Sequence, residues 1–280
     1  MVPPICRHGI GPPRGRKLIA GSPCSADRAA APRERRALFD LTAEEIGGIA
    51  VVAALGEAHP PSTVIAVTGH DASPARNRVT PTGDIEAIPL RGAWTGNRGI
   101  LHSGREIVRF HASDLWITCA LKFRGRWHEQ WQPHHFTWLY FHDEAVSFAA
   151  GHRPCAECRR PSYNAYRAAW ADALSVEPPS AKQINGQLHG ERIVRGTHRR
   201  RIHALPWADL PDGTFVLLEG SPSVVVRDHL FEWTRDGYSE RRARPTQGTA
   251  SVITPPSTVA ALRAGYQVQI DDAALVSTDP

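Results

Sequence analysis

The stretch Gly151-His152-Arg153-Pro154-Cys155-Ala156-Glu157-Cys158 constrains this chain more than any other. Two thiolates three residues apart can grip one metal ion from a single backbone turn, and a tetrahedral ion then needs two further ligands from elsewhere in the fold. Ahead of the pair, 144–150 reads as a short helix that Asp143 can cap and Gly151 can close. Behind it, Pro161 suits the first turn of a second helix running to about 174, with Tyr163, Tyr166, Trp170 and Leu174 on one face. A thioredoxin-like redox pair sits between a strand and a helix of a βαβ unit, so this setting favours metal binding over redox chemistry.

The chain has five cysteines. Cys6 and Cys24 fall in the N-terminal stretch, which leaves Cys119 as the natural third ligand beside Cys155 and Cys158. The fourth is open among His102, His128, His134, His135, His142 and His152. His102 is preferred, because the Gly-rich turn 99–104 gives its backbone freedom. Zinc is the expected ion. An odd, sparse set of cysteines without a recognisable leader argues against a disulfide scaffold and for a cytoplasmic location. No run approaches the roughly 18 apolar residues of a membrane span.

The segment Trp138-Leu139-Tyr140-Phe141-His142-Asp143-Glu144-Ala145-Val146-Ser147-Phe148-Ala149-Ala150-Gly151-His152-Arg153-Pro154-Cys155-Ala156-Glu157-Cys158 resembles the second half of the Ada-type metal-binding domain of bacterial methyl-DNA repair proteins. The resemblance covers 138–158 only, and elsewhere the chain is similar to uncharacterised bacterial proteins with the same Arg-Pro-Cys-x-x-Cys core. It implies a zinc site and a DNA-repair or regulatory setting. The family carries an earlier, closely spaced ligand pair, one cysteine of which accepts a methyl group. Here the corresponding region, 124–128, offers only His128. A structural zinc is therefore implied, and a methyl acceptor is not. With DNA or RNA as partner, Arg153, Arg159 and Arg160 would lie beside a phosphate-facing surface.

Charge alone does not settle the partner. The formal net charge is +5, yet residues 1–37 carry eight Lys/Arg against two acids, and the rest is nearly balanced. A nucleic-acid surface must then come from local clustering. The densest basic segment is Gln187-Leu188-His189-Gly190-Glu191-Arg192, followed by Arg195 and His198-Arg199-Arg200-Arg201. It reads as a phosphate-contacting patch, as a solvated face, or, with His189, Glu191 and Arg192 in a cleft, as the weak catalytic candidates of an enzyme with a structural zinc. A protein-interaction module is the third reading. Arg76-Asn77-Arg78 and Gly96-Asn97-Arg98-Gly99 are weaker anion candidates. Trp116, Trp127, Trp131 and Trp138 can stack bases or pack a core.

The expected fold is α+β: a disordered basic tail (1–37), a peripheral helix (42–55) and strand (64–67) within 38–70, an Ada-like zinc module (71–176), and a helix plus β-rich module (177–280). Strands are expected at 107–110, 115–123, 136–141, 214–218, 224–227, 230–234 and 250–254. Further helices are expected at 181–194 and from Ser257 or Thr258 to Gly265, with 266–270 closing the domain. Gly186 and Gly190 weaken the first of these by about 1 kcal/mol each.

Overall fold

A computed structural model describes residues 74–276, all within one of the two units into which the chain divides, Asp71–Pro280. The expected tail and the elements at 42–55 and 64–67 lie outside the described residues. The described part is α+β, with two six-stranded sheets, a small hairpin and a few helices.

The first sheet runs β2 (Ile85–Glu86), β1 (Arg78–Val79), β7 (Leu139–Phe141), β3 (Trp94–Asn97), β6 (Ile117–Cys119), β8 (Arg153–Pro154). Its strands are short, and two of its pairings, β1 with β7 and β6 with β8, are parallel. The hairpin of β4 (His102–Ser103) and β5 (Glu106–Ile107) stands apart. Glycine is required at position 96 of β3: a Cβ there would lie 2.1 Å from the Ile117 carbonyl oxygen and 2.9 Å from the Phe141 ring. Gly96→Ala is expected to destabilise the unit by at least about 1–3 kcal/mol, the usual scale of overpacking, read as a lower urea midpoint with an unchanged slope.

The second sheet runs β13 (Gly237–Ala243), β12 (His229–Thr234), β11 (Ser221–Val226), β10 (Phe215–Leu218), β14 (Thr249–Val252), β9 (His203–Pro206), and every pairing in it is antiparallel. Alternation along β11 sends Val224 and Val226 into one apolar cluster and Val225 into another, so the sheet is buried on both faces at its centre.

The described residues also form five α-helices: α1 (Glu144–Ala149), α2 (Arg160–Leu174), α3 (Ala181–Arg192), α4 (Pro256–Arg263) and α5 (Asp272–Val276). The Asp143 side chain accepts from Val146 N–H at the start of α1, and Gly151 follows its end with φ 84°. Ser180 and Gln183 form a capping box on α3. Tyr163, Tyr166 and Trp170 of α2 bury against Ile184 and Leu188 of α3 and Leu262 of α4, whereas Leu174 is exposed.

The division expected near 177 does not separate two cores. One cluster joins Val79, Leu139, Phe141 and Val146 to Phe215, Phe231, Ile253 and Ile270. The sheets and α1 share that apolar interior, so neither half closes without the other. No helix among the described residues is long and apolar enough to cross a membrane.

Candidate metal centre and basic cavity

Strand register brings the three cysteines together. In the parallel β6/β8 pair Ile117 faces Arg153 and Thr118 faces Pro154, so the next residues, Cys119 and Cys155, emerge side by side. The Cys155 N–H donates to the Thr118 carbonyl at 2.9 Å. The chain then turns through Cys158 into α2, and the Sγ atoms of Cys119, Cys155 and Cys158 all lie within 4.8 Å of one another. Three such sulfurs could hold one metal ion.

The surroundings favour negative sulfur at Cys155, while the Cys119 and Cys158 thiols are pushed up. The Cys119 and Cys158 thiols and the backbone N–H groups of Cys158 and Glu157 turn toward Cys155 and hold its thiol far below the ordinary range. The same sharing, with burial, pushes the Cys119 thiol up. The centre also stands at the start of the fifteen-residue α2, whose N-terminal dipole favours thiolate.

His102 does not join the cluster. Its Nδ1 pairs with the Thr137 hydroxyl at 2.7 Å, and its ring meets Trp131 edge-on. Among the described residues no fourth His, Cys, Asp or Glu converges on the three sulfurs. His128 stacks on Trp138, His142 faces Asp271, and His152 lies buried between Trp116 and Phe141.

Arg153 and Arg159, expected on a phosphate-facing surface, are buried and engaged. Arg153 donates to Asn185 Oδ1 at 2.8 Å and lies over the Tyr163 ring. Arg159 pairs with Glu144 at 2.5 Å and covers Trp94 with its guanidinium 3.9 Å from the ring centre. Both tie the knuckle to the core, and only Arg160 stays exposed.

An exposed loop follows Cys119. Leu121, Lys122, Arg124, Arg126 and Trp127 all face solvent, with Trp127 at 77%. Of the four tryptophans singled out above, Trp116 is buried and Trp131 and Trp138 are partly covered. Arg124 and Arg126 flank the Phe123 ring, and Arg126 reaches Glu157 inside the knuckle at 2.7 Å.

A second constellation gathers the other basic residues. Arg98 and Arg192, both fully buried, sandwich the Trp116 indole with guanidinium carbons 4.0 and 3.9 Å from its centre. Arg192 donates to the carbonyls of Gly151 and Asp114, and Arg200 to those of Ala149, Arg192 and Ile253. Among the described residues none of the three forms an ion pair with a carboxylate, and Arg98 Nη2, Arg192 Nε and Arg200 Nε have no hydrogen-bond partner. Burial, and then the neighbouring arginines, pull Arg98 and Arg192 below the usual guanidinium range. Guanidinium nevertheless stays protonated, so the repulsion is carried by the fold.

Beside this cluster lies a cavity of about 770 Å³ whose wall includes Phe110, His111, His189, Ile193, Arg195 and Arg201. Arg192 Nη2 donates to His189 Nδ1 at 3.0 Å. Arginine cannot accept, so His189 is neutral with its proton on Nε2. Burial first, and then the cationic neighbours, lower both His111 and His189. Glu191 takes no part. Its carboxylate accepts from the Ser257 N–H at 3.1 Å and the Ser257 hydroxyl at 2.5 Å, and so caps α4. His189 and Arg192 meet, and Glu191 faces elsewhere.

Arg98 and Arg192 both lie in motifs legible as basic segments, but their convergence on Trp116 had no sequence signal. It depends on β3 and α3 meeting in space. Set against family models, curated proteins and solved structures, the chain has no match.

Proposed function

We propose that this chain is a zinc-binding protein of the cytoplasm that binds single-stranded nucleic acid, with zinc in a structural role. The supporting observation is the Cys119, Cys155 and Cys158 centre at the root of the loop bearing Lys122, Arg124, Arg126 and Trp127. Thiolate donors select a soft ion, and zinc bonded to sulfur at about 2.3 Å sets its sulfurs about 3.8 Å apart. The three sulfurs lie within 4.8 Å of one another. Zinc there would fix β6, the knuckle and the start of α2 as one body, and thereby the base of the loop. The likeness of 138–158 to the Ada-type domain is consistent with this reading.

The loop supplies what sequence-tolerant strand binding needs: cations for the backbone and a projecting indole for a base. The exposed Arg126–Glu157 pair contributes little to stability and can exchange for a phosphate contact. Trp127→Ala is expected to weaken binding of a single-stranded oligonucleotide by about 1–3 kcal/mol, the scale of one stacked base. Neutralising Lys122, Arg124 and Arg126 together should flatten the salt dependence of binding. Fluorescence anisotropy over a salt series reads both. Binding that ignores all four residues, or no binding even at low salt, would refute the proposal.

A further inference from the structure

Glycines are costly inside helices, and α3 keeps two of them on one face. Gly186, His189, Gly190 and Ile193 follow the i, i+3, i+4, i+7 spacing and all line the cavity. Packing within the protein does not demand glycine at either position: a Cβ built at Gly186 or Gly190 meets nothing within 4 Å. The bare backbone therefore faces open space. A helix that gives up propensity twice on a concave face leaves room for something flat to lie against it.

The charge around the same cavity is equally unmatched. Arg98, Arg192 and Arg200 are packed together without a carboxylate, and unpartnered N–H groups remain on each. Asp114 acts on Arg192 and His189 and Asp84 on Arg98, yet neither carboxylate pairs with them, and Asp114 contributes only its backbone carbonyl to Arg192. Buried cations are ordinarily paired, and this unpaired set leaves net positive charge beside the cavity, to which Arg192 is joined through His189. Arg195 and Arg201 at the rim likewise form no ion pair among the described residues. His189 presents a fixed Nε2–H donor. The Phe110 ring lies near that of His198, with centroids 5.7 Å apart, so the wall offers aromatic faces as well as cations.

We propose that this cavity binds a nucleotide by its phosphomonoester. The phosphate lies against His189, Arg195 and Arg201, with the buried Arg192 bonded to His189. The base lies on the glycine face of α3 beside Phe110. A phosphate dianion answers the surplus of cations better than a single carboxylate does. A cavity of about 770 Å³ is also larger than inorganic phosphate requires and of the size that takes small organic ligands. The phosphomonoester can belong to a free mononucleotide or to the terminal phosphate of a strand. The site is separate from the 121–127 loop and does not depend on the strand-binding proposal.

The test is calorimetric titration of the full chain with AMP, adenosine, and a short single-stranded oligonucleotide with and without a 5′-phosphate. Tighter binding of AMP than adenosine, by at least about tenfold, supports a free nucleotide as the ligand. The same preference confined to the phosphorylated oligonucleotide supports a strand end. No phosphate dependence in either pair overturns the proposal. The unphosphorylated oligonucleotide reports on the loop and AMP on the cavity, so either reading can fail alone. His189→Ala should lower phosphate-dependent affinity by about tenfold or more. Gly190→Ala distinguishes a ligand site from a purely structural arginine cluster. It should leave the melting temperature unchanged or raised while lowering affinity by a similar factor. Affinity unaffected by both substitutions would also overturn the assignment.

Discussion

Cys155→Ser is expected to release the metal and to lower the melting temperature by on the order of 10 °C. Cys155 is the most buried of the three cysteines and the one toward which the other two thiols turn. Serine offers a hard, protonated oxygen in place of a soft thiolate, and two sulfurs with no further ligand among the described residues hold zinc poorly. Apparent ligation energies in zinc-finger peptides run to about 10–16 kcal/mol. The loss here should be smaller, on the order of 3–5 kcal/mol, because the metal-free unit keeps three apolar clusters. At about 2–4 °C per kcal/mol for a unit of this size, that gives the stated shift. Elemental analysis of both proteins, with melting in the presence and absence of a chelator, checks it. A metal-free variant that melts with the wild type, or a wild-type protein indifferent to chelator, would refute the structural role. Acid should mimic the substitution, since protons compete with the ion for thiolate.

The reach of that loss follows from what stands next to the knuckle. Cys158 adjoins Arg159, which pairs with Glu144. Glu144 in turn accepts from the Tyr266 hydroxyl and the Gln269 N–H. Thr118, one residue before Cys119, bonds to Ser147 of α1. Loss of a metal held there would therefore loosen the joint between β6, α1 and the closing segment, and not a surface turn alone.

Local chemistry made much of this legible. Asp143, Gly151 and Pro161 mark helix ends by rules that act within a few residues, and the helices lie close to where those rules put them. The grouping of Cys119 with the knuckle followed from there being no other cysteine outside the N-terminal tail. Strand lengths were harder to read. The stretch 115–123 reads as one long strand, but only Ile117–Cys119 pairs, because the chain leaves the sheet to build the exposed loop. β13 escaped notice because Ser239, Glu240, Arg241 and Arg242 carry no apolar alternation, and most of the strand is exposed.

The arginines defeated sequence reading for a physical reason. An arginine in a Gly-rich or basic run is ordinarily solvent-facing. Arg98, Arg153, Arg159 and Arg192 go inside because indole and phenol rings cover their guanidinium planes and backbone carbonyls or side-chain acceptors meet most of their N–H groups. Those partners come from several different elements. Nothing in the local sequence around each arginine distinguishes it from Arg160 or Arg199, which remain outside.

Glu144→Gln is expected to destabilise the unit by about 3–5 kcal/mol, comparable to losing the metal. Glu144 is 2% exposed, and its carboxylate serves three donors: Arg159 and the Tyr266 hydroxyl on Oε1, and the Gln269 N–H on Oε2. Glutamine keeps the shape and one acceptor but turns an NH2 group toward a donor whichever way the amide is set. It also leaves the Arg159 cation, 5% exposed and pressed on Trp94, without its counter-charge. A double substitution, Glu144→Gln with Arg159→Met, removes the stranded charge. It should recover part of the loss, since an uncompensated buried ion is more harmful than an absent pair. Urea denaturation of the two single variants and the double closes the cycle. If Glu144→Gln costs less than about 1 kcal/mol, or the double variant is no more stable than the strict sum of the singles, Glu144 and Arg159 are not coupled. The knuckle would then be joined to the closing segment by packing alone.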